Sequence, residues 1–122
     1  MSTETPLERF FSGQPEAQRL FDAVCRLMDE VGPYQLRTTK SQIALRRRVA
    51  FAWAWRPGMY LRGRTPPLVL SVRLLRRDDS PRWKEIAEPY PGRFMHHLEL
   101  WDESQLDAEV RGWLAEAWLA AG

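Results

Sequence analysis

Three side chains in the second half of the chain are of the types that acid–base work on an anionic substrate requires: Arg73, His97 and Glu99. Arginine grips an anion with a planar fork of donors, and an imidazole titrates near neutral pH. Glu99 stands two residues beyond His97, so on an extended chain both point the same way and the carboxylate can orient the ring. If their strands are neighbours, the three converge with Trp101, with Lys40 and Ser41 nearby. No nucleophile or third partner is identifiable by spacing. The same trio therefore also reads as a cross-strand ion pair beside a surface histidine, worth roughly a few tenths of a kcal/mol. A second set, Arg46, Arg47 and Arg48 followed by Phe51, Trp53 and Trp55, has the chemistry of an anion or single-strand nucleic-acid platform. There guanidiniums hold phosphates and rings stack on bases. The competing explanation is aromatics turned inward and arginines at a solvated strand end, and no recognised RNA- or DNA-binding motif accompanies the set.

Other reactive types are disposed of quickly. His96 and His97 are adjacent, so on a strand they face opposite ways and cannot share an ion; His96 reads as a core histidine with a hydrogen-bond partner. Cys25 is the single cysteine, which excludes an internal disulfide and argues against a zinc site. It lies beside an apolar stripe as a small buried hydrophobe. No metal and no cofactor are expected.

Charge is the most informative bulk property. The net value is only +2, yet no Asp or Glu occurs from Pro33 to Arg77, a stretch that holds eleven of the eighteen basic residues. The flanks carry all sixteen acids against seven bases. Such asymmetry points to an anionic partner for the middle segment, or to acidic helices lying across a basic sheet in the same molecule. Six Trp, five Phe and three Tyr in 122 residues predict an aromatic-rich core in one domain spanning 1–122. The N-terminus lacks the blocks of a signal peptide and no apolar run reaches membrane-spanning length, so the expectation is a cytoplasmic protein.

The elements that must position these residues can be read in order. Thr5-Pro6-Leu7-Glu8 has the form of a capping box and opens a short helix, 5–11, ahead of a main body, 13–121. Pro15 starts a longer helix in which Leu20, Phe21, Val24, Leu27, Met28 and Val31 form one stripe. Gly32-Pro33 ends it, with the glycine expected in a left-handed conformation. Tyr34–Thr38 and Gln42–Leu45 read as strands, followed by a turn near Arg46–Arg48 that lacks the usual Gly or Asn, so a bulge or one bent strand is an alternative. Val49, Phe51, Trp53 and Trp55 then alternate with Ala50, Ala52 and Ala54, apolar on both faces, as a central strand covered on both sides does. The alanine ladder lets a helix approach closely, leaving the bulky face as an opposite layer or a pocket floor. Met59–Arg62 is a small strand. Leu68, Leu70, Val72 and Leu74 oppose Val69, Ser71, Arg73 and Leu75. Arg82–Ile86 suggests a helical turn, and Pro89–Gly92 a loop. Phe94, His96, Leu98 and Leu100 oppose Met95, His97, Glu99 and Trp101. Asp102, boxed with Gln105 and with Trp101 stapled on Leu106, caps a final helix that buries Val110, Trp113, Leu114, Ala117 and Trp118. Helix, strands without crossover helices, helix: this order predicts an α+β domain, an antiparallel sheet of four to five strands flanked by terminal helices.

The runs Lys40-Ser41-Gln42-Ile43-Ala44-Leu45-Arg46-Arg47-Arg48, Ser80-Pro81-Arg82-Trp83-Lys84-Glu85 and His96-His97-Leu98-Glu99-Leu100 together resemble a bacterial domain-of-unknown-function family. Its domain occurs alone and at the C-terminus of longer chains loosely labelled predicted transport proteins. The resemblance covers roughly 13–120 and implies an α+β fold in a stand-alone bacterial protein. It implies no activity, cofactor or catalytic residue, and a chain without a membrane segment gives the transport label no support.

Taken together, these readings favour a small non-catalytic binding module. Its basic, aromatic sheet face would use Lys40, Arg46, Arg48, Trp53, Trp55, Arg73, His97 and Glu99 toward an anionic small molecule, a nucleic acid or an acidic protein surface. Two other classes stay open: an enzyme built on Arg73, His97 and Glu99, and a structural domain that forms a homodimer through exposed tryptophans such as Trp113 or Trp118.

Overall fold

The structure, a computed structural model, describes residues 3–122. A short helix α1 (Pro6–Phe10) is capped by Thr5, whose side chain accepts from the Glu8 N–H, and has proline in its first turn, where no N–H is missed. Helix α2 (Pro15–Asp29) turns Leu20, Phe21, Val24, Leu27 and Met28 inward. Six strands follow: β1 (Gln35–Thr38), β2 (Ile43–Arg46), β3 (Ala50–Trp55), β4 (Leu68–Leu74), β5 (Glu85–Tyr90) and β6 (Arg93–Leu100), and helix α3 (Ala108–Ala120) closes the chain. The strands form one antiparallel sheet in the order β1-β2-β3-β4-β6-β5. The architecture is α+β as expected, with one strand more than the four to five anticipated.

The helices share one face of this sheet with Ile43, Leu45, Ala52, Ala54, Leu68, Leu70, Val72, Leu74, Leu98 and Leu100, all buried in the core. Small residues on β3 are what permit that approach: Ala52 and Ala54 are fully enclosed, and α3 packs across β3 and β4. The register shift between Leu45 and Arg46 is a bulge, one of the alternatives left open near the arginine turn. It also overturns the simple alternation of β3. Phe51 is drawn into the core beside Ala52, while Trp53 and Trp55 stay half-exposed on the other face. A bulge adds a residue to one strand and rotates those beside it, which is the reason the period of two fails there.

Several local expectations are corrected. Gly32 is not left-handed, since positive φ among the described residues belongs to Gly13, Gly63 and Gly92. Its lack of a side chain serves packing instead: the Trp118 indole occupies the place a Cβ would take, and its N–H donates to the Pro33 carbonyl at 2.8 Å. The box of Asp102 and Gln105 forms, but it caps a single 3-10 turn, Glu103–Gln105. Asp107 caps α3 proper, accepting from the Val110 N–H. Residues Pro57–Met59 make another 3-10 turn, so no strand forms at 59–62. The segment suspected of being a helical turn at 82–86 runs into β5, and Pro89-Tyr90 belongs to that strand, where proline is tolerated because the strand lies at the sheet edge.

Trp83, read as part of a helical turn, is a core residue. It lies 4.1 Å from Trp113 and 4.8 Å from His96, centroid to centroid, and its N–H donates to Asp78 Oδ2 at 2.8 Å. His96 is fully buried: Nδ1 donates to the Phe94 carbonyl at 3.0 Å and Nε2 accepts the Asp78 N–H at 3.0 Å. That pair of bonds assigns the neutral ring.

Candidate anion-binding site

Among the described residues no helix lies over the second sheet face, so β3 is not covered on both sides as its sequence suggested. Its central row runs Ala44, Trp53, Ser71, His97 and Glu85 across β2, β3, β4, β6 and β5. Trp55, Val69 and Glu99 form the row on one side; Arg73, Met95 and Ala87 form the row on the other. Ala44, Val69 and Ser71 are buried although the face is helix-free, because the indoles of Trp53 and Trp55 stand beside them in register. Apolar alternation thus reflects a layer of tryptophans rather than a second layer of backbone.

At the Arg73 end this layer opens into a groove of about 620 Å³ lined by Val49, Ala50, Trp53, Arg73, Pro89, Tyr90, Pro91, Arg93 and Met95. The hairpin β5–β6 forms one wall. Its turn places Gly92 at a φ of 76°, a conformation that favours glycine, with the Gly92 N–H donating to Glu88. Tyr90 is 69 % exposed there, a large ring held out rather than packed in. Two guanidiniums enter the groove, those of Arg73 and Arg93, and no carboxylate lines it. The Arg73 Nε is buried and has no hydrogen-bond partner. Burial first, and then the like charge of Arg93, lowers the Arg73 pKa from its ordinary value. A guanidinium nonetheless keeps its proton, so the groove holds concentrated positive charge in partly desolvated surroundings, where an anion is attracted most strongly.

Next to the groove, Trp55 Nε1 donates to Ser71 Oγ at 2.9 Å, and Ser71 Oγ lies 2.6 Å from His97 Nδ1. With the indole N–H arriving at Oγ, the hydroxyl proton is directed to Nδ1, and the neutral imidazole carries its own proton on Nε2. Burial pushes the His97 pKa down against the upward pull of Glu85. The pair has the types of a nucleophile and its base. Ser71 is 3 % exposed, however, and its oxygen already receives the indole N–H, so the chain of bonds fixes Trp55 and His97 on the sheet.

The residues singled out in the sequence are therefore divided. Trp53, Trp55, Arg73, His97 and Glu99 share the open face, with Arg73, His97 and Glu99 in successive rows as a column rather than a cluster. Lys40 and Ser41 lie in the β1–β2 turn, near the Trp55 end and away from Arg73. Trp101 falls past the end of β6, where the Arg64 guanidinium sits 5.0 Å from its ring. Arg46 and Arg48 flank the β2–β3 turn, which Arg47 ties to the end of α3 by stacking 3.6 Å over the Trp118 ring. With Phe51 sealed in the core, the arginine triplet and the rings do not make one platform. Ser71, Tyr90, Arg93 and Met95 were missed as site residues. Ser71 was visible as the one hydroxyl in an apolar strand, whereas Tyr90 and Arg93 depend on a hairpin that reads locally as loop.

The charge question also has a structural answer. Ion pairs join Arg26 to Glu103, Arg76 to Asp78 and Glu116, Arg82 to Asp107 and Glu109, and Arg111 to Glu30. Of these arginines only Arg76 belongs to the acid-free segment, so internal complementarity uses the flanking residues more than the basic middle. No helix of the described residues is long and apolar enough to cross a membrane.

Comparison with known proteins gives a family and no more. A family model described as Domain of unknown function (DUF5655) matches residues 7–121. No curated protein and no solved structure matches the chain.

Proposed function

The chain belongs to the DUF5655 family, a domain of unknown function, and we propose that it is a small binding module whose open sheet face takes an anion with an apolar, preferably flat, body. The observation that carries this reading is the buried Arg73 Nε without a partner, beside Arg93, in a groove free of carboxylate. Buried donors in native proteins are nearly always satisfied, so an unfilled one in a concave, aromatic-walled space marks where an acceptor belongs. The two guanidiniums take the charged group, while Trp53, Tyr90 and Met95 flank the body of the ligand. Nucleoside monophosphates and aromatic carboxylates have this shape and charge. In this reading His97 and Ser71 keep the floor rigid, and the module is non-catalytic.

Isothermal titration of the full chain with AMP, with phenylphosphate and with uncharged adenosine tests it. Saturable binding of AMP or phenylphosphate that weakens about tenfold or more in Arg73→Met, with adenosine inert, is the expected result. No heat from either anion, or heat unchanged in Arg73→Met and Arg93→Met, removes the proposal.

A further inference from the structure

A second basic pocket lies at the opposite end of the sheet. It occupies about 460 Å³ between α1, the end of β1 and the end of β3, and is lined by Pro6, Arg9, Phe10, Thr38, Thr39, Lys40, Arg56 and Met59. The two linings share no residue; along β3 the nearest, Trp53 of the groove and Arg56 of this pocket, are three residues or about 10 Å of extended chain apart. From the geometry we infer that this pocket is a separate site for the phosphoryl group of a small phosphate ester.

Three cations, Arg9, Lys40 and Arg56, line a space to which no carboxylate contributes. The Arg56 Nε is buried with no hydrogen-bond partner, and its guanidinium carbon lies 5.3 Å from the centre of the Phe10 ring. The ring holds the fork in place by cation–π attraction but offers no acceptor for its N–H groups. A phosphoryl group supplies acceptors in the planar, paired arrangement a guanidinium fits best. Lys40 is presented by a turn that Thr39 builds, its hydroxyl donating to the Gln42 carbonyl at 3.1 Å and accepting the Ser41 and Gln42 N–H groups. Thr39 is thereby committed to shaping the turn, and binding falls to the cations. Pro6, Phe10 and Met59 give apolar sides, and the volume exceeds what a bare oxyanion fills, which selects an ester over inorganic phosphate.

Amide chemical shifts of the ¹⁵N-labelled full chain, titrated with glycerol 3-phosphate and with sodium chloride as control, test this site. Glycerol 3-phosphate should move the Thr39, Lys40 and Arg56 amides saturably, with at least tenfold weaker affinity in Arg56→Met and a partial loss in the charge-conserving Arg56→Lys, which guards against a folding failure. The same shifts should persist in Arg73→Met, so this site stands or falls independently of the groove. Shifts matched by sodium chloride, shifts indifferent to Arg56, or shifts abolished by Arg73→Met would each overturn it.

Discussion

The two faces of one sheet meet water in different ways, and the difference separates residues that hold the fold from residues free to bind. On the helix side β3 presents Ala52 and Ala54, small enough for α3 to lie close, and the space is filled by Trp83, Trp113, Leu114 and His96, with the Trp83 N–H and both His96 nitrogens bonded inside the protein. On the open side β3 presents Trp53 and Trp55, and the indoles themselves roof the smaller side chains between them. Polar groups follow the same split. His96 has both nitrogens bonded in the core, whereas the Arg73 Nε, one row from His97 on the open face, is buried without an acceptor. A fold tolerates an unsatisfied donor at a cost of about 1–3 kcal/mol, and such a cost is expected where binding rather than packing is served.

Truncation should expose this contrast at its largest. Trp83→Ala removes a buried ring and the N–H that holds Asp78, and should lower unfolding stability by about 3–5 kcal/mol in urea titrations. Trp53→Ala on the open face should cost less than half as much while abolishing AMP binding. Equal losses would erase the distinction between the faces. Gly32→Ala probes the core side again: a methyl group meets the Trp118 ring, and overpacking of this kind costs about 1–3 kcal/mol, read from the same titrations.

Acid should act through the core before the groove. Burial, opposed by its bond to Phe94 and by Asp78, keeps the His96 pKa below its ordinary 6.5. The unfolded chain therefore binds the proton more readily, so stability is full above about pH 6.5 and declines as pH falls below that value. Asp78 works further down: burial raises its pKa, but the Trp83 N–H, Arg76 and the Ser80 N–H outweigh that and hold it below 3.8. Its contribution is present above pH 3.8 and is lost in stronger acid. A denaturation series in His96→Gln should show the decline below pH 6.5 flattened; an unchanged slope would assign it elsewhere.

Much of the fold was legible because period and capping are local signals. The stripe of α2, the alternation of β4 and β6, and the box at Asp102 all follow from neighbours within a few residues. What escaped depends on distant partners. The bulge that turns Phe51 inward, the role of Gly32 under Trp118, and the pairing of Glu85–Tyr90 with β6 are each decided by another part of the chain. The site shows the same division. Arg73 and Trp53 were visible as a guanidinium and an indole on strand faces, but Arg93 and Tyr90 join them only through the β5–β6 hairpin. Lys40 has the right charge for Arg73 yet lies at the other end of the sheet.

Arg73→Met gives the smallest expected stability change, neutral or slightly favourable, since it removes a buried donor that nothing satisfies. The most direct test of the central claim watches the tryptophans themselves. In ¹⁵N spectra of the wild-type chain titrated with AMP, the Trp53 indole N–H should shift saturably while those of Trp83 and Trp113 stay in place. Absence of any Trp53 shift at saturating AMP, or a shift that survives Arg73→Met unchanged, would contradict an anion site on the open face.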